Sequence, residues 1–298
     1  MSKFVSFKGA VSEVMTPFNE DGSINYNYLK HWVDTQIDSG ISGIFTNALA
    51  SEALLMTFDE LNEVNAAVCS YASNRVPVMT NVTGNVLEES LNIIKVHERA
   101  GSDAISLTQP MVYGITQEGL YGWLSTLAHS TDLPVCIYNA PQTGNVISPE
   151  TIARLFRDCE NVVYYKESTI DIVHIQNTIR LIGNDKEYEF LAGSDSTTYL
   201  ISVLGGLGVI SLISSVFPKP IVDLCNKALE KDFEKACKIQ FDVLKIRDAL
   251  KVGPFMSGYK YASELMGVPV GVVRKPLVQL STEEKAKIEK KLKELELI

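Results

Sequence analysis

Val162-Val163-Tyr164-Tyr165-Lys166-Glu167 is a short run of β-branched and aromatic residues that ends abruptly on a lysine and a glutamate. Apolar at nearly every position before that, it has the composition of a strand buried on both faces, as in parallel sheets covered by helices. In a barrel of such strands the residue at the C-terminal end faces the mouth, where chemistry is done. A lysine held there against apolar walls loses its proton more readily, because desolvation penalises the ammonium form. The neutral amine can then attack a ketone and form a Schiff base. A solvated lysine that merely ends a strand has the same local sequence, so the rest of the chain has to decide.

Short apolar runs alternate with longer amphipathic segments on both sides of this stretch. Strands are predicted at 9–15, 43–46, 78–82, 104–107 and 135–138 before it, and at 188–192 and 208–212 after it. The intervening segments read as helices, with Gly40 and Gly101 as stop signals and Ser148-Pro149-Glu150 as a capped start. Eight strands at this spacing suit a (β/α)8 TIM barrel, an α/β fold of about 250 residues. An open doubly wound sheet would require a glycine-rich phosphate turn after the first strand, where Met15-Thr16-Pro17 stands instead. From Pro218 onward the pattern is helical without strand. The predicted organisation is therefore a barrel over residues 1–230 and a C-terminal helical appendage over 231–298, its last helix rich in Lys and Glu and solvated on that face.

The chain has 298 residues, 46% hydrophobic and 21% charged, ordinary values for a globular protein. A net charge of −9 argues against nucleic acid or an anionic membrane as partner, though a local site can still hold an anionic substrate. The five cysteines (Cys69, Cys136, Cys159, Cys225, Cys237) are scattered, which reads as reduced thiols in a cytoplasmic protein. The four histidines (His31, His97, His129, His174) show no metal-ligand spacing, so no metal or other cofactor is expected. Met1-Ser2-Lys3-Phe4-Val5 shows no secretory pattern, and no run of about twenty apolar residues predicts a membrane span.

Three stretches together resemble the pyruvate-dependent class I aldolase/lyase family of dihydrodipicolinate synthase and N-acetylneuraminate lyase. They are Tyr138-Asn139-Ala140-Pro141, similar to the family's YN-x-P segment, Val163-Tyr164-Tyr165-Lys166-Glu167-Ser168, and Thr16-Pro17-Phe18 with Asp21-Gly22. The likeness extends through Gln117-Glu118-Gly119-Leu120-Tyr121, Leu191-Ala192-Gly193-Ser194-Asp195 and Gly208-Val209-Ile210-Ser211. It implies that Lys166 is the imine-forming nucleophile and Tyr138 the proton relay. It further implies that Gly193 and Ile210 line the pocket, that Asp195 and Ser168 meet hydroxyls of a substrate, and that the protein is a homotetramer, a dimer of dimers.

The chain departs from the family in four places. Ala48-Leu49-Ala50-Ser51-Glu52 stands where the family has Gly-Thr-Thr-Gly-Glu, so both carboxylate-binding threonine hydroxyls are gone. Backbone N–H groups around Ala50, and the Ser51 hydroxyl, are the remaining candidates to hold a carboxylate. Glu52 reads either as a catalytic carboxylate or as one that holds the loop from beneath. Pro141-Gln142-Thr143-Gly144 lacks the arginine with which dihydrodipicolinate synthases receive a dicarboxylate, and only Tyr113, out of strict register, stands where the family commonly donates a tyrosine pair across a subunit interface, which makes it the candidate substitute. Leu212 replaces a polar pocket residue of the sialic acid lyases. These changes disfavour dihydrodipicolinate synthase proper. The expected activity is cleavage or formation of a 2-keto-3-deoxy sugar acid, or related 4-hydroxy-2-oxo acid, with pyruvate and an aldehyde as partners. A Schiff-base dehydratase or deaminase, or a paralogue that binds a ligand without turnover, stays open.

Overall fold

The computed structural model describes residues 4–82 and 84–298; of the N-terminal stretch inspected for a signal, residues 1–3 lie outside the described residues. Eight parallel strands close into a barrel in sequence order. They are β1 (Gly9–Glu13), β2 (Gly43–Thr46), β3 (Val78–Val82), β4 (Ala104–Thr108), β5 (Val135–Asn139), β6 (Val162–Glu167), β7 (Glu189–Ala192) and β8 (Gly208–Ser211). All are buried along their whole length, which is why their sequences run apolar instead of alternating. The predicted strands coincide with these to within one or two residues at most ends.

β1 closes the barrel against β8, with Gly9 opposite Gly208 and Ser12 opposite Ser211. The strands approach so closely at this seam that a Cβ on Gly208 would collide with the Gly9 carbonyl. Phe7 and Tyr164 plug the N-terminal end, edge to face at 5.5 Å. Val11, Phe45, Met79, Ala104, Cys136, Leu191 and Ile210 fill the interior above them. The larger apolar cluster lies between the strands and the helices that wrap them, with Trp32 and Leu29 fully buried. Truncating Trp32 to alanine there would cost about 3–5 kcal/mol.

Local signals set the helices. Thr57 and Glu60 form a reciprocal cap at the start of Phe58–Ala72, and Ser148 caps Pro149–Asp158 with proline in the first turn. Beyond β8 come Pro218–Leu229, Phe233–Leu250, Ser257–Leu265 and Thr282–Glu294. In the last of these only Ile288 and Leu292 are buried, so its Lys/Glu face is solvated.

The C-terminal helices also hold the barrel's upper loops. Lys260, 3% exposed, pairs with Glu52 at 2.7 Å and donates to the carbonyls of Thr16 and Val272 at 2.8 and 2.7 Å. Arg274 N–H donates to the other Glu52 oxygen at 2.8 Å. Glu52 thus ties the loop after β2 to the C-terminal segment.

Candidate active site

Lys166 is wholly buried in β6, and its register partner on β5 is Tyr138. Nζ lies between two aromatic faces, 4.0 Å from the ring centre of Tyr138 and 4.1 Å from that of Phe45 on β2. The two rings are 6.3 Å apart and nearly perpendicular.

The amine is dry, as expected, but it is not alone. Nζ donates to Glu13 Oε1 at 2.6 Å, from β1 on the far side of the barrel. Burial alone pulls the lysine pKa down; the Glu13 carboxylate, with Tyr138, more than offsets that and holds it above its ordinary value. Desolvation is therefore not the only influence on this amine: a buried carboxylate bonded to Nζ opposes it and favours the ammonium form. Sequence reading missed Glu13, although a signal was present. A carboxylate inside a strand buried on both faces requires a partner.

Tyr138 is buried, and burial raises its pKa while the Lys166 charge lowers it. Its hydroxyl lies 3.5 Å from Ser168 Oγ, which donates to the Gly193 carbonyl at 2.9 Å. Gly193 is required by close approach: a Cβ there would collide with Ser168 Oγ and stand 2.8 Å from the Glu167 carbonyl. Ile210 belongs to the same interior cluster as Tyr138 and Phe45. Ser168, Gly193 and Ile210 are thus gathered around the lysine–tyrosine pair.

Asp195 and Ser51 lie differently from their expected roles, and Tyr113 faces outward from this chain. The carboxylate of Asp195 is engaged by the wall, accepting from Ser211 Oγ and, more weakly, from Ile213 N–H at 3.4 Å. Burial pushes its pKa up to about 6. Ser51 is fully buried; its Oγ accepts from Ala48 N–H at 3.1 Å and its carbonyl from Thr16 Oγ1 at 2.8 Å, which makes it a loop brace. Tyr113 is 93% exposed and is not brought to the lysine within this chain. Ala50, half-buried, sits in the 3-10 turn Leu49–Ser51.

A buried polar network locks the ends of β5 and β6. Tyr165 Oη donates to Glu167, and Asn139 Nδ2 donates to Glu167 Oε2 at 3.1 Å and faces His174 Nε2 at 3.1 Å. Gln109 Nε2 donates to Asn139 Oδ1 at 2.9 Å. His174, expected as a packing or surface residue, closes this network at 3.4 Å from Glu167. Satisfied networks of this kind fix strand ends rigidly, and here they fix the strands that carry Tyr138 and Lys166.

A closed (β/α)8 barrel with a buried amine at the mouth end of β6 defines a class I, imine-forming carbon–carbon lyase. The chain belongs to the dihydrodipicolinate synthetase family, whose model matches residues 6–295. It is 31% identical to the 4-hydroxy-tetrahydrodipicolinate synthase of Methanocaldococcus jannaschii over 98% of this chain and 100% of that one. It is 32% identical to the synthase of Persephonella marina over 98% and 99%. Among solved structures, dihydrodipicolinate synthase from Aquifex aeolicus superposes with a TM-score of 0.93 at 30% identity, covering 98% of this chain and 99% of that one. A prophage protein of the same family from E. coli, solved in complex with pyruvate, gives 0.93 at 26% identity with the same coverage.

These relatives overturn the expected sugar-acid specificity. The missing threonines and arginine led away from dihydrodipicolinate synthases, yet full-length similarity leads to proteins of that name. Two short loops carried the sequence argument, and loops vary while the scaffold that they decorate persists. Among the described residues, no helix is long and apolar enough to cross a membrane.

Proposed function

We propose that the chain makes 4-hydroxy-tetrahydrodipicolinate from pyruvate held as an imine on Lys166. In this reading Lys166 attacks the keto carbon, and Tyr138 moves protons at the carbinolamine and at the incoming aldehyde. Loss of a methyl proton gives the enamine, whose carbon adds to that aldehyde. The product is a dicarboxylate, so the aldehyde brings a carboxylate of its own. Ser168, Gly193 and Ile210 line the space over the imine, and the N–H groups of Leu49 and Ala50 take the pyruvate carboxylate without threonine hydroxyls.

The observation that carries the reading is the buried Lys166 amine over the Tyr138 ring, in a chain similar over its full length to synthases of this name. A homotetramer built from two dimers fits the exposure of Tyr113 and Ile170, 93% and 80%, which a partner chain would cover. Five unpaired cysteines agree with a cytoplasmic location.

Incubation with pyruvate and borohydride tests the mechanism: a reduced three-carbon adduct is expected on Lys166 by peptide mass mapping. An unmodified Lys166 under saturating pyruvate overturns it. Product formation with an amino-aldehyde acid as second substrate tests the specificity.

A further inference from the structure

Glu13 is the least expected residue of the site. It lies within a strand that is otherwise apolar or small, is 6% exposed, and reaches across the barrel to a fully buried amine. We propose that Glu13 is a catalytic residue that takes the ammonium proton of Lys166 as the amine attacks, and returns it as water departs. The proposal rests on the imine chemistry proposed above and adds a proton acceptor to it.

Geometry and electrostatics support this assignment. A lone pair on Nζ requires that a proton leave first, and the acceptor already bonded to Nζ is Glu13 Oε1 at 2.6 Å. A short, charge-assisted bond lets the proton pass without any heavy atom moving far. Burial by itself works against the Lys166 ammonium, and passing its proton along the bond already made to Glu13 leaves no separated charge inside the barrel. Tyr138 meets the amine with its ring face and its hydroxyl, and a neutral phenol is a far weaker base than the carboxylate already bonded to Nζ. The other titratable groups around the pair are Cys136 on β5, Asp195 after β7 and Tyr259 in Ser257–Leu265; burial holds each of them toward its neutral form.

The steps balance. The Lys166 ammonium gives one proton to the Glu13 carboxylate, and the free amine adds to the keto carbon. One of the two remaining nitrogen protons moves to the oxygen, which gives the neutral carbinolamine. Glu13, now a carboxylic acid, protonates the hydroxyl; the C–O bond breaks and water leaves. An iminium cation then stands where the ammonium stood, facing a regenerated carboxylate.

Three variants at pH 7 test the role: Glu13→Gln, which keeps shape and removes the base, Glu13→Asp, which keeps a carboxylate, and Lys166→Ala as the blank. The readout is the rate of imine formation with pyruvate, by quenching with borohydride and intact mass, with folding checked by circular dichroism. Glu13→Gln is expected to slow imine formation about 100-fold or more, with Glu13→Asp in between. A counter-ion without a proton-transfer role predicts the reverse, because removing its charge leaves more free amine. Rates for Glu13→Gln equal to or above the natural protein's therefore overturn the proposal. If Glu13→Gln does not fold, Glu13→Asp decides alone: a folded variant with an undiminished rate overturns the proposal, and a slowed one supports it. A natural protein that forms no adduct overturns the pyruvate reading itself and this proposal with it.

Discussion

Tyr138 and Lys166 are register partners on adjacent strands, and the lysine nitrogen sits 4.0 Å over the centre of the tyrosine ring. The pairing is fixed by backbone hydrogen bonds between β5 and β6, so the phenol and the amine move as one unit. Removing the hydroxyl while keeping the ring separates proton transfer from packing. Tyr138→Phe is expected to lower kcat about 100-fold or more, with KM for pyruvate changed only a few-fold. Steady-state kinetics checks this, and an unchanged kcat takes the phenol out of the relay.

The loop after β2 offers a gain instead of a loss. Leu49 and Ala50 bring no hydroxyl to a carboxylate, and one hydrogen bond to a charged group contributes about 1.5–3 kcal/mol. Ala50→Thr is therefore expected to reduce KM for pyruvate about tenfold, with kcat little altered. A KM that stays put or rises shows that the carboxylate binds elsewhere.

Two buried groups give opposite pH dependences. Burial pushes His97 down to about 4 from 6.5, so the folded state stays neutral while the unfolded chain takes up a proton. Stability from this group is present above pH 6.5 and is lost as pH falls toward 4. Asp195, pushed up to about 6 from 3.8, binds its proton earlier when folded, so stability is gained as pH falls between 6 and 4. Each effect is about 3 kcal/mol at full extent. Between pH 7 and pH 4, His97→Gln is expected to gain stability relative to the natural protein and Asp195→Asn to lose it. Urea titrations across that range measure both; slopes of the same sign refute the assignment.

Gly193 tests how tightly the mouth is built. A methyl there meets the Ser168 hydroxyl and the Glu167 carbonyl, the latter being backbone of the strand that carries the lysine. Overpacking of this kind costs about 1–3 kcal/mol, so Gly193→Ala is expected to lower the melting temperature by several degrees. Because the strain falls on β6, kcat should drop as well; thermal unfolding beside an activity assay shows whether the two losses travel together.

Much of the scaffold is legible in the order of the residues. Runs such as Val135–Tyr138 and Val162–Lys166 announce strands buried on both faces, and Gly40, Gly101 and Ser148-Pro149 mark helix ends by their own backbone chemistry. Tyr138 and Lys166 are legible too, since each ends such a run. The roles expected of Ser51 and Asp195 are not, because a residue's position after a strand does not say which way its side chain turns. Asp195 turns to Ser211 on β8, and Ser51 turns back to Ala48.

A closed α/β barrel, and the strand end at which an amine would stand, can be read from residue order, because burial and chain reversal are written in local composition. Which group faces that amine became visible only with the chain folded. Glu13 and Lys166 are 153 residues apart, and they meet because the barrel closes. No periodicity records a contact of that kind: the attraction between two buried charges depends on their distance across the barrel, not along the chain.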